Sequence, residues 1–150
     1  EKVDYEQNLA TRKPVTVSGE VNEEFSTLAV DGLVECKINP ATYWGAGPVP
    51  QWLMVDLQEA QVVGEVQLYT FWDEKRYYQY TIAVSTDGTA WTTVADASAN
   101  TVPAGENGYK HVFAPTKARH VKVTMLKNSA GPAVHIVELR VRGPASGGAK

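Results

Sequence analysis

The chain has 150 residues, and fourteen Lys and Arg against seventeen Asp and Glu leave it with a net charge of −3. That balance argues against a nucleic-acid binder, which neutralises phosphates with a concentrated basic surface. No apolar run approaches the ~20 residues of a membrane helix. A 43% hydrophobic content with twelve Gly and eight Pro spread along the chain fits neither a disordered nor a fibrous protein.

Taken in chain order, Glu23 to Val30 reads as a short turn of helix, and the single cysteine, Cys36, reads as a small apolar residue. One cysteine also excludes an intramolecular disulfide and a cysteine-based zinc site. From there the hydrophobic period is two, the signature of strands. Gln51 to Leu57 places Leu53, Val55 and Leu57 on one face, and Glu65 to Phe71 alternates through Val66 and Leu68. Tyr78 to Ser85 repeats the pattern with Tyr80, Ile82 and Val84. So do Tyr109 to Phe113, His120 to Leu126 (Val121, Val123, Met125) and His135 to Arg142 (Val137, Leu139, Val141). Turn clusters separate them at Thr86-Asp87-Gly88, at 104–108, at Ala114-Pro115-Thr116 and at 128–132. Many short strands with turn chemistry between them predict an all-β antiparallel sandwich or barrel in one domain. The tail from Pro144 to Lys150 reads as a linker, which implies a piece of something longer.

Signatures of catalysis are absent: there is no HExxH, GxSxG, phosphate loop or strand-linked GxGxxG. Of the three histidines, 111, 120 and 135, His111 and His120 read as structural residues of strand-like segments. The acid pairs Asp73/Glu74, Glu23/Glu24 and Asp56/Glu59 read as solvated loop charge rather than as a glycosidase pair.

Two constellations stand out. The first joins Asp31-Gly32 and Asn39-Pro40-Ala41-Thr42 to the distant Glu138, an acid that interrupts the apolar face of the last strand. Two readings fit it. A hard cation such as Ca2+ would draw its six to eight oxygens from carboxylates, amides and carbonyls. Alternatively, Asp31 caps a turn and Glu138 is solvent-exposed, paired with Arg140 or Arg142. The second constellation is Phe71-Trp72-Asp73-Glu74-Lys75-Arg76-Tyr77-Tyr78, four aromatics and an arginine in eight residues. Flat rings stack on the C–H face of a sugar, and a guanidinium forks onto vicinal hydroxyls.

The segments Asn8-Leu9-Ala10, Val30-Asp31-Gly32, Asn39 to Trp44, Pro50 to Leu57, Val84 to Trp91, Ala118 to Val123 and Ile136 to Val141 occur in one order over nearly the whole chain. Together they resemble the F5/8 type C (discoidin-like) family, in particular its bacterial branch, the family 32 carbohydrate-binding modules. The resemblance implies an antiparallel jelly-roll β-sandwich of about eight strands, galactose-binding-domain-like, over 1–143, followed by a linker or tail at 144–150. It implies a structural Ca2+ held by the side chains of Asp31, Asn39 and Glu138 and the carbonyls of Ala29, Thr42 and Val137. Leu33 to Ile38 is an insertion relative to the family pattern. Trp44, Trp52 and Trp91 fall at positions that are core in the family. Sugar contacts are expected on the loops at one end: Tyr43, Trp72, Asp73, Arg76, Tyr77, Tyr78, Lys127, Asn128 and His135. The aromatic that galactose binders carry before the last strand is replaced by Pro132-Ala133-Val134. The implied function is a non-catalytic, monomeric module of a secreted or cell-surface bacterial enzyme, targeting its catalytic domain to a glycan. The alternative is an adhesion module that recognises protein or lipid.

Overall fold

The computed structural model describes residues 7–144. Seven strands are present among them: β1 (Val15–Val17), β2 (Trp44–Ala46), β3 (Gln51–Thr70), β4 (Tyr78–Ser85), β5 (Thr92–Ala97), β6 (Tyr109–Asn128) and β7 (Val134–Arg142). A 3-10 turn over Ser26–Val30 occupies the segment expected to be helical.

The long strands β3 and β6 pair antiparallel from Gln51↔Met125 to Leu68↔Tyr109 and run through both layers of the sandwich. Each therefore absorbs two of the strands expected from the periodicity. The bend between layers falls where the register shifts, between Asp56 and Gln61 and between Val63 and Glu65. Gln58 takes a positive φ of 75° there. Arg119 clamps the bend with two bonds to the Asp56 carboxylate, at 2.8 and 3.1 Å. On one side of it β1 and β4 flank the pair, with β5 outside β4; on the other side β7 pairs with Glu65–Thr70 and carries β2. Leu53, Val55, Leu57, Val66, Leu68, Ile82, Val121, Val123, Met125, Leu139 and Val141 fill the space between, all at most 1% exposed, the faces that strict alternation assigns to the interior.

The same alternation overturns two of the three tryptophan assignments. Trp44 is fully buried, and its indole N–H donates to the Gly19 carbonyl at 2.9 Å. Trp52 and Trp91 are half-buried on the outer face. Trp52 alternates with Leu53 and so must point away from the core. Lys122 lies between the two, its ammonium 4.9 Å from the Trp52 ring and 5.5 Å from the Trp91 ring.

β7 carries the feature on which the site depends. Its pairing with β3 passes from Tyr69↔Glu138 to Thr70↔Ile136, leaving Val137 as a bulge. Glu138 points outward with Tyr69, but the 3-10 turn and the 33–41 loop fold over this face. Tyr43, Tyr69 and Val137 form a second buried cluster there, against Val34, Cys36, Ala41, Phe71 and Trp72. At the C-terminal boundary Pro144 still sits on the domain: a Cβ on Gly64 would come within 2.7 Å of the Pro144 Cα. The rest of the expected tail, 145–150, lies outside the described residues. Among the described residues no helix is long and apolar enough to cross a membrane.

Candidate functional site

The 71–77 segment joins the end of β3 to the start of β4 and is folded by its own polar groups. Asp73 Oδ1 accepts the N–H groups of Lys75 (3.0 Å) and Arg76 (2.9 Å), an Asx turn that lets Glu74 take a φ of 65°. These bonds hold the exposed Asp73 carboxyl below its usual range. Arg76 is drawn inward: its Nε donates to Asp73 at 3.2 Å, its guanidinium lies 4.4 Å over the Phe71 ring, and its charge acts on the buried Tyr78 phenol. Ala104 N–H donates to the Arg76 carbonyl, and Tyr77 exchanges bonds with Ser129 through its N–H and its carbonyl. Trp72 and Tyr77 are left half-exposed, with the Lys127 ammonium 5.8 Å from the Tyr77 ring.

Three residues expected to touch ligand lie beneath this rim. Tyr78 is fully buried, Tyr43 is 4% exposed and Asn128 is 7% exposed. Asn128 is spent on its own turn, donating to the Ala133 carbonyl at 2.8 Å and accepting from Ala130 N–H at 2.9 Å. His135 is half-buried and joins them: its Nδ1 is 2.7 Å from the Tyr78 hydroxyl, and its ring packs edge-on to Tyr43 at 5.2 Å. These four support the rim rather than form it. Phe71, Ser129 and Ala104 hold the hairpin, and nothing in their spacing announces it.

Burial and the nearby Arg76 charge push the His135 imidazole down to about 4, so near neutrality it is an uncharged partner of the Tyr78 hydroxyl. A depressed histidine contributes stability that is complete above its unfolded value, near 6.5. That contribution is lost as acid protonates the unfolded chain first. With Ca2+ saturating, we expect folding free energy to fall by about 2 kcal/mol between pH 6.5 and pH 4. His135→Gln should flatten that window in urea titrations. A wild-type profile as flat as the variant's would contradict the assignment.

The first constellation comes together at the 3-10 turn. Asp31 follows it, with Oδ1 accepting Leu33 N–H at 2.9 Å, and Gly32 takes a φ of 88°. Glu138 is fully buried; its Oε2 accepts Gly32 N–H at 2.9 Å, while its Oε1 is buried with no hydrogen-bond partner. Burial and the facing Asp31 carboxylate push Glu138 up to about 9. The exposed reading of Glu138 is thereby overturned. Arg142 bonds Glu65 and Gln67 instead, and Arg140 bonds the Tyr69 hydroxyl at 3.3 Å. No third His, Cys, Asp or Glu joins the pair among the described residues. Carbonyls of the Ala29 and Val137 type would therefore supply the remaining oxygens, as a hard cation accepts. The orphaned Oε1 and two apposed carboxylates fit such an ion. Thr42 spends its hydroxyl on closing the neighbouring loop, donating to the Glu35 carbonyl at 2.6 Å and accepting Lys37 N–H at 2.9 Å. Its carbonyl is the group the ion would take. Asn39 is exposed at the tip of that loop.

The F5/8 type C domain model matches residues 14–139. No curated protein matches the chain significantly. Among solved structures, chitosan-binding module 1 of a chitosanase/glucanase from Paenibacillus sp. IK-5 is 30% identical with a TM-score of 0.73, over 91% of this chain and 99% of that one. Module 2 of the same enzyme, solved with chitotriose, is 29% identical with a TM-score of 0.72, over 91% and 100%. A family 89 glycoside hydrolase from Clostridium perfringens is 26% identical with a TM-score of 0.79, over 93% of this chain; the chain spans 15% of that protein.

Proposed function

The chain belongs to the F5/8 type C domain family, and from that premise we propose that it is a non-catalytic carbohydrate-binding module, secreted or on the cell surface, that holds an attached enzyme on a glycan. The observation that carries this is the rim. Trp72 and Tyr77 are held half-exposed by a hairpin whose turn, backbone and arginine are all pinned, beside the ammonium of Lys127. Flat rings next to a cation suit the C–H faces and hydroxyls of a sugar, and preorganisation lowers the entropic cost of a shallow contact. Asp73 and Arg76 border the site, while Tyr43, Tyr78, Asn128 and His135 stiffen it from below. A Ca2+ ion on Asp31, Glu138 and neighbouring carbonyls completes the reading by neutralising the buried acids behind the rim.

The chitosan-binding relatives make chitotriose the first ligand to try. Calorimetric titration of chitotriose, galactose and polygalacturonate should give at least one Kd between about 1 mM and 1 µM, an affinity made useful by tethering. The same incubations should show no hydrolysis. Absence of binding across these and an array of insoluble polysaccharides would contradict the reading.

One observation favours a lipid-recognising module: Leu33 and Ile38 are 58% and 68% exposed on the neighbouring loop. Glu35 lies between them in sequence, Asp73 and Glu74 lie on the hairpin that shares a buried cluster with this loop, and anionic lipid repels all three. We expect no co-sedimentation with phosphatidylserine vesicles.

A further inference from the structure

Trp72 does not hold its place by hairpin geometry alone. The loop before β2 closes on itself: Thr42 N–H donates to the Lys37 carbonyl, Ile38 and Ala41 form a β-bridge, and the Thr42 hydroxyl ties Glu35 to Lys37. One edge of this closed loop, Val34, Cys36 and Ala41, packs together with Phe71 and Trp72 against the buried Tyr43, Tyr69 and Val137. At its centre the Cys36 Sγ accepts Trp72 N–H at 3.4 Å, and the thiol donates to the Trp72 carbonyl at 3.7 Å. Both main-chain groups of the half-exposed Trp72 are thus taken by one side chain from a loop 36 residues away in sequence. A thiol offers one weak donor and one weak acceptor, so it can satisfy both. Burial raises the Cys36 pKa and keeps the donor proton in place.

We propose that Cys36 is a positioning residue for the glycan site: through the closed 33–42 loop it fixes the backbone, and hence the ring angle, of Trp72. The loop is then a wall of the site, and the half-buried cysteine serves as a two-sided latch without redox chemistry. This rests on the reading of the rim as the place where sugar stacks. A flat aromatic contact is sensitive to tilt, so a loosened Trp72 loses affinity before the fold loses stability.

The test uses protein labelled with 5-fluorotryptophan, with the Trp72 signal assigned by Trp72→Phe and chitotriose, or whichever glycan of the panel binds best, as the probe. Cys36→Ala removes both bonds and little volume. It should move or broaden the Trp72 fluorine resonance in the free protein and weaken binding by about fivefold, with the melting temperature close to wild type. Cys36→Ser, which can donate and accept at the same place, should recover part of both effects. Thr42→Val, which opens the loop without touching Trp72, should move the same resonance. An unmoved Trp72 resonance in Cys36→Ala overturns the proposal. So does a moved resonance with undiminished affinity, provided Trp72→Ala loses binding. If Trp72→Ala itself binds as wild type, the reading of the rim falls and the proposal falls with it.

Discussion

Chelation should destabilise the wild-type protein by about 3 kcal/mol, roughly 6–12 °C in melting temperature for a chain of this size, and should leave Glu138→Gln unaffected. The cause is the pair behind the rim. Two carboxylates face each other at a site where one is fully buried and has an oxygen without a donor. Removing the counter-charge of a buried ion costs about 3–5 kcal/mol, because the remaining charge is neither paired nor solvated. Without metal the protein's recourse is to protonate Glu138, and its pKa is pushed up to about 9. The sign follows. A carboxyl raised in the folded state contributes stability below its unfolded value, near 4.5, and that contribution is lost as pH rises toward 9. Chelated wild type should therefore weaken steadily from pH 7 to pH 9, above the window in which His135 titrates, while Glu138→Gln, which keeps the volume and drops the charge, stays flat there. With Ca2+ in excess the order reverses and wild type is the more stable. A wild-type melting temperature indifferent to chelator at pH 8 would remove the ion from the account.

The second large effect is on binding. Trp72→Ala should weaken glycan affinity by about 2 kcal/mol, about thirtyfold in Kd, the range of an aromatic hot spot. Its melting temperature should fall less than that of a core truncation, because the ring is only half-buried and packs at the edge of both hydrophobic clusters. Tyr77→Ala should have a smaller effect in the same direction, since its ring stands beside Lys127 rather than alone. Tyr78→Ala would weaken binding for a different reason: it empties a fully buried site and unties Arg76 and His135, so stability falls with affinity.

Much of this architecture is readable from alternation. The faces carrying Leu53, Val55 and Leu57, and those carrying Val121, Val123 and Met125, are buried as a period of two requires. The same rule places Tyr78 inside, in step with Tyr80 and Ile82, and Tyr77 outside, so the burial of one of the two hairpin tyrosines was legible in the β4 pattern. What alternation misses are irregularities of register. The β4–β6 ladder slips between Gln79 and Tyr80, which turns Asn128 inward and leaves Lys127 exposed. The bulge at Val137 sends Glu138 to the outward face, where a loop then covers it. The bend at 58–62 is exposed and polar enough to look like a loop, yet the hydrogen-bonded ladder resumes beyond it, so two expected strands are one. Short strands such as β1 and β2, three residues each, exist only through their partners and carry no periodicity of their own. The contact of Cys36 with Trp72 joins two loops, and no local pattern encodes it.

The location of the ligand is the centre of the account, and amide chemical shifts read it directly. Titrating 15N-labelled protein with the best-binding oligosaccharide should shift the backbone signals of Trp72 to Tyr77 and Lys127 to Ser129, with Cys36 following through its contact with Trp72. Shifts confined instead to the outer face around Trp52, Lys122 and Trp91, with the hairpin signals unmoved at saturation, would contradict it.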